Sequence, residues 1–470
     1  MQDALIVGVC GAGAMGSGIA LVAAQAGAQV VIFDVNEAAC ANSRKTTESS
    51  LRQSVERGRL LQDQADSVMK SMRWTAKLDD LCGCMLVVEA ILEDLVTKQE
   101  LFAQLEDIVA DDTIIASNTS SLSIARLAKP LRNPARFAGM HFFNPPAAMK
   151  LVEVISGPAT APDVAHRIVD IAASWKKVAV PVADVPGFIV NRVARPYYAE
   201  AFQALQQSAA TALVIDHLFK AAAGFRMGPL ELTDLIGQDV NFSVARSVYE
   251  AYFGQTRFVP QLLQGSLVDA GWLGRKSGRG IYDYASDATK AAPEPVAASP
   301  LDDASPRPER VSPDAPPWER EGVIVRFTRG QTARAEARTA GKPVVLLDWF
   351  DTTSATACGF SASDETAAEL GACLLTAWDM EPFRIADTPG LIITRTLAQI
   401  ANAAGDAVLD GVSNEAGIDS ALQFGANYPF GPFAWAGRIG GEAIVSTLQA
   451  IASGTGHTIY NPSQYWTIKI

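Results

Sequence analysis

The chain has 470 residues, of which 49% are apolar, so it is long enough and apolar enough for two or three packed domains. Its formal net charge of −12 argues against a nucleic-acid-binding protein and against a basic patch that would bind a membrane surface. The cysteines are scattered, and no histidine follows Cys82 and Cys84 at metal-ligand spacing. With no targeting segment visible, we expect reduced thiols, no metal site and a cytoplasmic location.

The first predicted elements lie at the N-terminus. The apolar run from Leu5 to Cys10 is typical of a buried strand, and residues from Gly18 to Ala26 favour a helix that Gly27 can close. A second apolar run, from Gln29 to Phe33, predicts a strand that ends at Asp34. Strand, turn, helix, strand and acid together predict a dinucleotide-binding βαβ unit. We assign the G-x-G-x-x-G turn of this unit to the cofactor site, with the residues Gly11, Gly13, Ala14, Met15 and Gly16.

The chemistry of this unit favours NAD as the cofactor. Gly11 permits the tight turn, Gly13 lets the backbone approach a pyrophosphate, and Gly16 lets the helix pack closely on the strand. The helix N-terminus then offers N–H groups to the phosphates. Asp34 can accept hydrogen bonds from the ribose hydroxyls and would repel the 2′-phosphate of NADP. The alternative is an ordinary tight turn in a sheet that binds no nucleotide.

Further apolar runs predict strands of the same sheet, which we expect to end near residue 183: Leu86–Ile91, Thr113–Ala116, Phe137–Phe143 and Leu151–Ile155. Glu93 and Lys98 flank the start of the helix after the first of these runs, at the edge where a nucleotide would bind. The alternative for these two residues is a capping acid and a solvated lysine. Beyond Asp184 the pattern is helical, and Pro186 can begin a helix that continues to Gln207.

His141 and Glu153 are candidates for an acid–base pair. His141 lies in an apolar run before Asn144-Pro145-Pro146, which is a strong turn signal, and Glu153 is the lone acid of the next run. Two strands joined by a turn can bring these side chains together, and the carboxylate would orient the imidazole and raise its basicity. The alternative is a core histidine bonded to a backbone carbonyl, with Glu153 on a solvated face.

Two other polar features are candidate ligand contacts. The run from Asn118 to Ser121, which includes Ser120, follows an apolar strand at the end where a parallel sheet presents ligand groups. The alternative is an N-cap for the next helix. Asn191 is expected one or two turns inside the helix after Pro186, where asparagine is mildly unfavourable. A surface or interhelix contact is the alternative for Asn191.

The rest of the chain contains a linker and an internal repeat. Eight of the 25 prolines lie between Pro293 and Pro317, a composition typical of an extended linker that is hard to pack. The motifs at Asp184 and Met227 recur at Asp387 and Phe430, each 203 residues later (387 − 184 and 430 − 227). We therefore expect an α/β Rossmann domain, an all-α domain and a second C-terminal all-α repeat unit. The predicted segments are a dinucleotide-binding domain at 1–183, a helical domain at 184–285, a linker at 286–319, a small degenerate insert at 320–383 and the helical repeat at 384–470.

Taken together, these residues resemble the L-3-hydroxyacyl-CoA dehydrogenase family, which includes 3-hydroxybutyryl-CoA dehydrogenases. The resemblance covers roughly residues 1–285 and rests on the glycine fingerprint followed in order by SNTSSL, HFFNPP, KLVEVI and PGFIVNR. The segment GWLGRKSGRGIYDY, from Gly271, is similar to the one that closes the family's helical domain. The longer form, with an insert and a second helical unit, resembles the members of the phenylacetate pathway that act on 3-hydroxyadipyl-CoA.

The resemblance implies a reaction and a role for each candidate. The reaction is the reversible, NAD-dependent oxidation of L-3-hydroxyacyl-CoA to 3-oxoacyl-CoA, in β-oxidation, butanoate metabolism or phenylacetate degradation. His141 would be the base, Glu153 its paired acid, and Ser120 and Asn191 contacts of the substrate's 3-oxygen region and thioester. Further cofactor contacts would be Glu93, Lys98, Asn118, Asn144 and Lys276. Coenzyme A would contact Ser50 and Arg57, the second of which replaces the family's usual lysine.

The second half departs from the family pattern. Thr394 stands where the 203-residue offset places the equivalent of Asn191, and residues 320–380 contain neither the glycine fingerprint nor HFFNPP. We therefore predict one active site per chain and a structural C-terminal half. Because the family pairs two helical domains in a dimer, we expect either a homodimer or two helical domains packed within one chain. The alternative functions are another NAD-dependent hydroxyacid dehydrogenase, such as a gulonate dehydrogenase, and a non-catalytic NAD-binding scaffold.

Overall fold

The computed structural model describes residues 5–284, 292–302 and 306–469. The chain forms two compact units, the first extending to Ile189 and the second beginning at Val190. The finer division into five segments stays a prediction.

The first unit is a sheet with helices on its faces. Within the described residues its strands, β1 to β8, are Ile6–Cys10, Gln29–Phe33, Met72–Thr75, Leu86–Glu89, Ile114–Ser117, Phe137–Phe142, Leu151–Ser156 and Val178–Ala183. Its helices, α1 to α6, are Ala14–Gln25, Glu37–Glu56, Gln62–Lys70, Leu95–Ile108, Ile124–Ala128 and Pro162–Ser174. The strand order is β3-β2-β1-β4-β5-β6-β7-β8, and only the β6–β7 pair is antiparallel. The parallel part has the doubly wound order of dinucleotide-binding folds, as predicted.

The apolar runs identified every strand of this sheet that the sequence named. They identified β1, β2, β4, β5, β6 and β7 because these strands are buried on both faces and consist almost wholly of apolar residues. The edge strand β3 was missed, because its sequence, MRWT, is half-exposed and includes Arg73.

The single helix predicted from Pro186 to Gln207 is wrong. Gly187 and Phe188 have positive φ angles of 77° and 49°, so the chain turns before a helix can begin. Helix α7 then spans Val190–Val193, and α8 spans Arg195–Gln206. Asn191 is therefore the second residue of a helix rather than a mid-helix asparagine, and the helix-propensity argument for it no longer applies.

The second unit combines helices with a smaller sheet. Its remaining helices in the described ranges, α9 to α19, are Ala212–Ala221, Pro229–Ile236, Gln238–Ala251, Leu262–Asp269, Ala333–Ala340, Glu365–Ala377, Ile393–Leu409, Glu415–Gly425, Pro432–Ile439, Gly441–Thr455 and Gln464–Lys469. Its strands, β9 to β13, are Trp318–Arg320, Val323–Phe327, Val344–Leu347, Ala357–Ala362 and Glu381–Arg384. The strand order is β13-β12-β11-β10-β9. The degenerate insert is thus a five-stranded mixed sheet.

The internal repeat has the same capping geometry in both copies. The Asp216 carboxylate accepts hydrogen bonds from the first-turn N–H groups of α10, those of Leu230 and Glu231, at 2.9 and 2.8 Å. Asp419, which is 203 residues later, accepts the equivalent bonds from Phe433 and Ala434 at 2.8 and 3.0 Å. Identical capping at a constant offset is what a duplicated unit predicts.

The two helical copies pack against each other within the second unit. Arg395 of the second copy lies 2.7 Å from the Glu200 carboxylate of the first, from Nε to Oε2, and both side chains are buried. The aromatic ring of Phe225 lies 5.3 Å from that of Trp435, between centroids. The chain therefore contains the intramolecular packing that was one of our two expectations, and a homodimer of the chain stays a prediction.

The linker packs more than its composition predicts. Part of it, residues 286–291 and 303–305, lies outside the described residues. Val311 and Ser312 are nonetheless buried, and the Ser312 hydroxyl donates a hydrogen bond to the Ile439 carbonyl at 2.7 Å. The expectation of a segment that is hard to pack is wrong for this stretch, because its small and apolar residues cover the end of α17.

Three general features follow from the described residues. No helix in the described ranges combines the length and apolar character needed to cross a membrane. Among the same residues, no group of three or more His, Cys, Asp and Glu side chains could hold a metal ion. The cysteines at positions 10, 40, 82, 84, 358 and 373 are all free thiols.

Candidate active site

The glycine turn after β1 forms a cradle that is open only at Gly13. A Cβ atom on Gly16 would lie 1.9 Å from the Gly11 carbonyl oxygen, and one on Gly11 would lie 2.5 Å from the Ala90 carbonyl oxygen. Both glycines are therefore required for packing. Gly13, in contrast, has nothing within 4 Å of its Cβ position, and it precedes α1, which has no side-chain cap. The first N–H groups of α1, at Ala14 and Met15, can therefore meet an anion over Gly13.

A groove beside this turn fits the adenosine half of NAD. It has a volume of about 500 Å³, and its lining includes Gly11, Gly13 and Asp34 but no lysine or arginine. The Asp34 carboxylate is fixed at the rim by N–H groups of Ala12 and Asn36, at 2.8 and 2.9 Å. A fixed carboxylate without a neighbouring cation suits two ribose hydroxyls and disfavours a 2′-phosphate.

Lys98 is enclosed between two carboxylates. Its side chain is 1% exposed, and its Nζ lies 2.5 Å from Glu89 Oε1 and 3.1 Å from Glu93 Oε2. The alternative of a solvated lysine is therefore wrong. Burial acts to raise the pKa of Glu93, but Lys98 and the hydroxyl of Thr119 outweigh it and lower that pKa. The sequence analysis missed Glu89, although an acid at the end of the apolar strand LVVE was a detectable signal.

Glu93 holds the polar turn that follows β5. Its Oε1 accepts hydrogen bonds from the Thr119 hydroxyl and from the N–H of Ser120, at 2.6 and 3.0 Å. The alternative of an N-cap is wrong for these residues, because Ser123 caps α5. Asn118 instead accepts a hydrogen bond from the Phe142 N–H at 2.8 Å, which ties the end of β5 to the end of β6.

His141 and Glu153 face each other across the antiparallel pair β6–β7. They are register partners, and His141 Nδ1 lies 2.7 Å from Glu153 Oε2. Glu153 is fully buried, so the alternative that placed it on a solvated face is wrong. Its other oxygen accepts the N–H of Ile189 at 3.0 Å. Since a carboxylate only accepts hydrogen bonds, Nδ1 carries the proton, and Nε2 presents its lone pair as a base.

Aromatic side chains enclose the imidazole. The ring of Phe143 lies 4.5 Å from the His141 ring and that of Phe188 lies 5.8 Å away, between centroids. Phe188 adopts a left-handed backbone conformation, which is strained for a bulky residue and recurs at functional sites. The imidazole is therefore fixed on one side by a carboxylate and shielded by apolar surface, which favours a defined tautomer.

The remaining predicted site residues lie apart from this cluster or in the second unit. Asn144 is exposed in the turn after β6, and Ser50 and Arg57 are exposed on α2 and at its C-terminal cap. Neither Ser50 nor Arg57 lines the cofactor groove. In the second unit, Asn191 is half-buried, and Lys276 Nζ forms an ion pair with Asp239 at 2.5 Å.

The duplicated sheet carries no equivalent of the His–Glu pair. Its register places Gly359 opposite Phe383, just as Glu153 is opposite Val180, and these two partners are 203 residues apart (383 − 180). Asp348, whose N–H donates to the Gly359 carbonyl at 2.9 Å, occupies the place of His141. Its buried carboxylate accepts bonds from the N–H of Ile392 and the hydroxyl of Thr394, at 2.9 and 2.7 Å. This position has no imidazole, and its acid is fully used in holding the backbone.

Comparisons with known proteins cover almost the whole chain. Residues 6–185 match the NAD-binding domain of 3-hydroxyacyl-CoA dehydrogenase, and residues 187–284 and 390–468 match the C-terminal domain of that family. Residues 325–389 match the reduced Rossmann-fold domain of 3-hydroxybutyryl-CoA dehydrogenase.

Individual relatives share this architecture. The chain is 41% identical to the 3-hydroxyadipyl-CoA dehydrogenase of Escherichia coli K12 over 462 residues, which are 98% of this chain and 96% of the relative. It is 41% identical to a probable 3-hydroxybutyryl-CoA dehydrogenase of Bacillus subtilis over 59% of this chain and 96% of that protein. The crystal structure of an Escherichia coli K12 3-hydroxybutyryl-CoA dehydrogenase superposes with a TM-score of 0.94 at 39% identity, covering 100% of this chain and 98% of that one.

Proposed function

The chain belongs to the 3-hydroxyacyl-CoA dehydrogenase family, and we propose that His141 is the general base of its reaction. The enzyme oxidises 3-hydroxyacyl-CoA thioesters with NAD. The observation that carries the proposal is the 2.7 Å contact between His141 Nδ1 and the buried Glu153 carboxylate. This contact leaves Nε2 as the basic atom of the ring.

The chain's own residues supply proton transfer and positioning. His141 Nε2 accepts the proton of the substrate's 3-hydroxyl group, and Glu153 stabilises the imidazolium that forms. The hydroxyl of Ser120, which follows β5, binds the substrate oxygen. NAD, held by Gly13, the N-terminus of α1 and Asp34, accepts the hydride when it is bound. In the reverse direction the imidazolium returns the proton to the 3-oxo group. Asn191 is assigned to the substrate's thioester region on the family resemblance alone.

We also propose a thioester with a terminal carboxylate, 3-hydroxyadipyl-CoA, as the preferred substrate. Support comes from the Escherichia coli relative of that activity, which matches this chain over 98% of its length, both helical units included. The test compares kcat/KM for the 3-oxoadipyl, acetoacetyl and 3-oxooctanoyl thioesters in the presence of NADH. A higher value for the adipyl substrate supports the proposal, and equal or lower values contradict it.

The two alternative functions give different results in the same assay. A hydroxyacid dehydrogenase of the gulonate type would turn over a free hydroxy acid and no CoA thioester. A scaffold would bind NADH without turning over either. Consumption of NADH with a 3-oxoacyl-CoA contradicts both alternatives.

We further propose a cytoplasmic location. The free thiols at all six cysteine positions support it, because disulfides are typical of oxidising compartments.

A further inference from the structure

A second, larger groove lies on the first unit, outside the cofactor groove. It has a volume of about 880 Å³ and is bounded by the C-terminal half of α1, by α3, and by the segments 147–150 and 174–177. Its lining contains five cationic residues and no aspartate or glutamate: Arg59, Lys70, Lys150, Lys176 and Lys177. In a chain with a net charge of −12, such a groove is a local positive field for an anion.

The five cations do not have the same role. Lys177 is part of the wall, because its Nζ donates hydrogen bonds to the Pro146 and Met149 carbonyls at 2.5 and 2.8 Å. Arg59, Lys70 and Lys176 are exposed. Their charges are therefore presented to whatever enters the groove.

The fold does not require a positive charge at Lys176. This residue has a φ angle of 59°, in the left-handed turn after Trp175. The duplicated sheet makes the same turn after Trp378, 203 residues later, and there Asp379 has a φ angle of 56°. Since an acid forms the same turn, backbone geometry does not explain the lysine.

The groove begins close to the His–Glu pair. Its segment 147–150 belongs to the connection between β6, which carries His141, and β7, which carries Glu153. Lys150 precedes Glu153 by three residues, so their Cα atoms are at most about 11 Å apart. A ligand whose reactive end is at His141 can therefore have its other end in this groove.

We propose that this groove binds the 3′-phospho-ADP end of coenzyme A, an inference that rests on the proposed function. That end carries a diphosphate and a 3′-phosphate, and lysine and arginine are the side chains that bind phosphates. The family resemblance places coenzyme A on Ser50 and Arg57, but neither residue lines the groove. The phosphates instead meet Arg59, Lys70 and Lys176, with Lys150 at the end nearest the site.

The test separates the phosphorylated end of the substrate from its reacting end. The triple variant Arg59→Gln/Lys70→Gln/Lys176→Gln is compared with wild type on acetoacetyl-CoA and on acetoacetyl-pantetheine, which lacks the phospho-ADP. We expect KM for acetoacetyl-CoA to rise about tenfold, which is what three exposed charge contacts together supply. The kcat value, KM for NADH and both constants for the pantetheine thioester should stay unchanged. The wild-type preference for the CoA thioester should also weaken as salt is added.

Two further variants serve as controls. Lys45→Gln removes an exposed cation of α2 that does not line the groove, and it should leave every constant unchanged. Arg57→Gln tests the site expected from the resemblance. A rise in KM with Arg57→Gln and none with the triple variant would overturn the proposal, as would an equal rise for both thioesters.

A binding measurement keeps this inference separate from the proposed function. Adenosine 3′,5′-bisphosphate is titrated into the full wild-type chain and into the triple variant by calorimetry. Binding to wild type that the triple variant loses supports the groove, even if no thioester is turned over. Equal binding by both proteins, or by neither, contradicts it.

Discussion

At the scale of single residues, the site depends on how one imidazole is oriented. His141 lies opposite Glu153 because the two strands pair in that register, and a one-residue slip would turn the side chains to opposite faces of the sheet. Ile189 holds the second oxygen of the carboxylate. The orientation of the ring is therefore set by backbone pairing rather than by a flexible surface contact.

The variant His141→Gln tests the base directly. Glutamine keeps a polar side chain opposite Glu153 but cannot accept the hydroxyl proton, so we expect kcat to fall by roughly 10²–10⁴-fold. NADH affinity, measured by fluorescence titration, should be unchanged because the cofactor groove is not lined by His141. An unaltered kcat would remove His141 from the role of base.

The glycines of the cofactor turn provide a second test at this scale. Gly13→Ala places a methyl group in open space, and its φ of −73° suits any residue. We expect the free energy of unfolding to change by less than about 0.5 kcal/mol. The Kd for NADH should rise at least about tenfold, since the methyl group occupies the approach of the pyrophosphate.

Gly16→Ala is the matched control for Gly13→Ala. Its Cβ would clash with the Gly11 carbonyl, so this variant should lose stability in thermal denaturation. Unchanged NADH binding in Gly13→Ala would show that the pyrophosphate does not lie over this glycine.

At the scale of elements, buried acids hold the ends of helices in place. Asp216 accepts hydrogen bonds from two N–H groups of α10 and from the Tyr282 hydroxyl at 2.6 Å. The segment that begins at Gly271 is thereby tied to the first helical copy, which gives a structural reason for its tyrosine. Such capping is worth about 1 kcal/mol where the side chain is removed.

The same aspartate predicts a pH dependence of stability. Burial raises the pKa of Asp216 from 3.8 to about 6, against hydrogen bonds from Tyr282, Leu230 and Glu231 that lower it. Between about pH 4 and pH 6 the folded state therefore keeps a proton that the unfolded chain has released. The contribution of Asp216 to the free energy of unfolding is thus largest at acid pH and falls as pH rises through this window.

Asp216→Asn should lack this slope. Urea denaturation from about pH 4 to about pH 7 should show the stability of wild type, relative to the variant, declining as pH rises. Parallel curves for the two proteins would mean that Asp216 does not titrate in this range.

Local patterns predicted most elements but not their breaks. The buried strands of the first sheet were predicted because each is a nearly unbroken apolar run between turn signals. The break before α7 was not predicted, because Phe188 is an ordinary helix residue by propensity and its left-handed conformation is set by its surroundings. The packing of Val311 and Ser312 was missed for a similar reason, since linker composition says nothing about which surface is nearby.

At the scale of the whole molecule, duplication has produced one complete site and one structural copy. The second copy retains the strand order, the helix caps and the turn angles of the first, but its acid at position 348 holds the backbone of Ile392 and Thr394. The helical copies are joined through a buried ion pair between Glu200 and Arg395. Duplication thus supplies a partner surface within one chain.

Breaking this ion pair should destabilise the protein. The contact from Arg395 Nε to Glu200 Oε2, at 2.7 Å, is an ion pair rather than an aligned hydrogen bond, and burial raises the pKa of Glu200. Arg395→Met leaves the carboxylate buried without its cation, so we expect a loss of about 3–5 kcal/mol in the free energy of unfolding.

The double variant Arg395→Met/Glu200→Gln should recover most of this loss, because no buried charge remains. Urea denaturation measures both proteins, with Arg338→Met as a control at an exposed arginine. A double variant as unstable as the single one would show that packing, rather than the unpaired charge, causes the loss.

The sequence by itself determined the cofactor unit, the candidate base and acid, and the repeat, because each depends on local spacing: a glycine turn between two strands, two strands across a turn, or a constant offset. Only the tertiary structure decided what distant residues do together. It placed Lys98 between two carboxylates, substituted Asp348 for the imidazole in the second sheet, and gathered cations from three separate segments into one groove. These arrangements depend on burial and on contacts between residues far apart in the chain, and no local pattern of residue types records them.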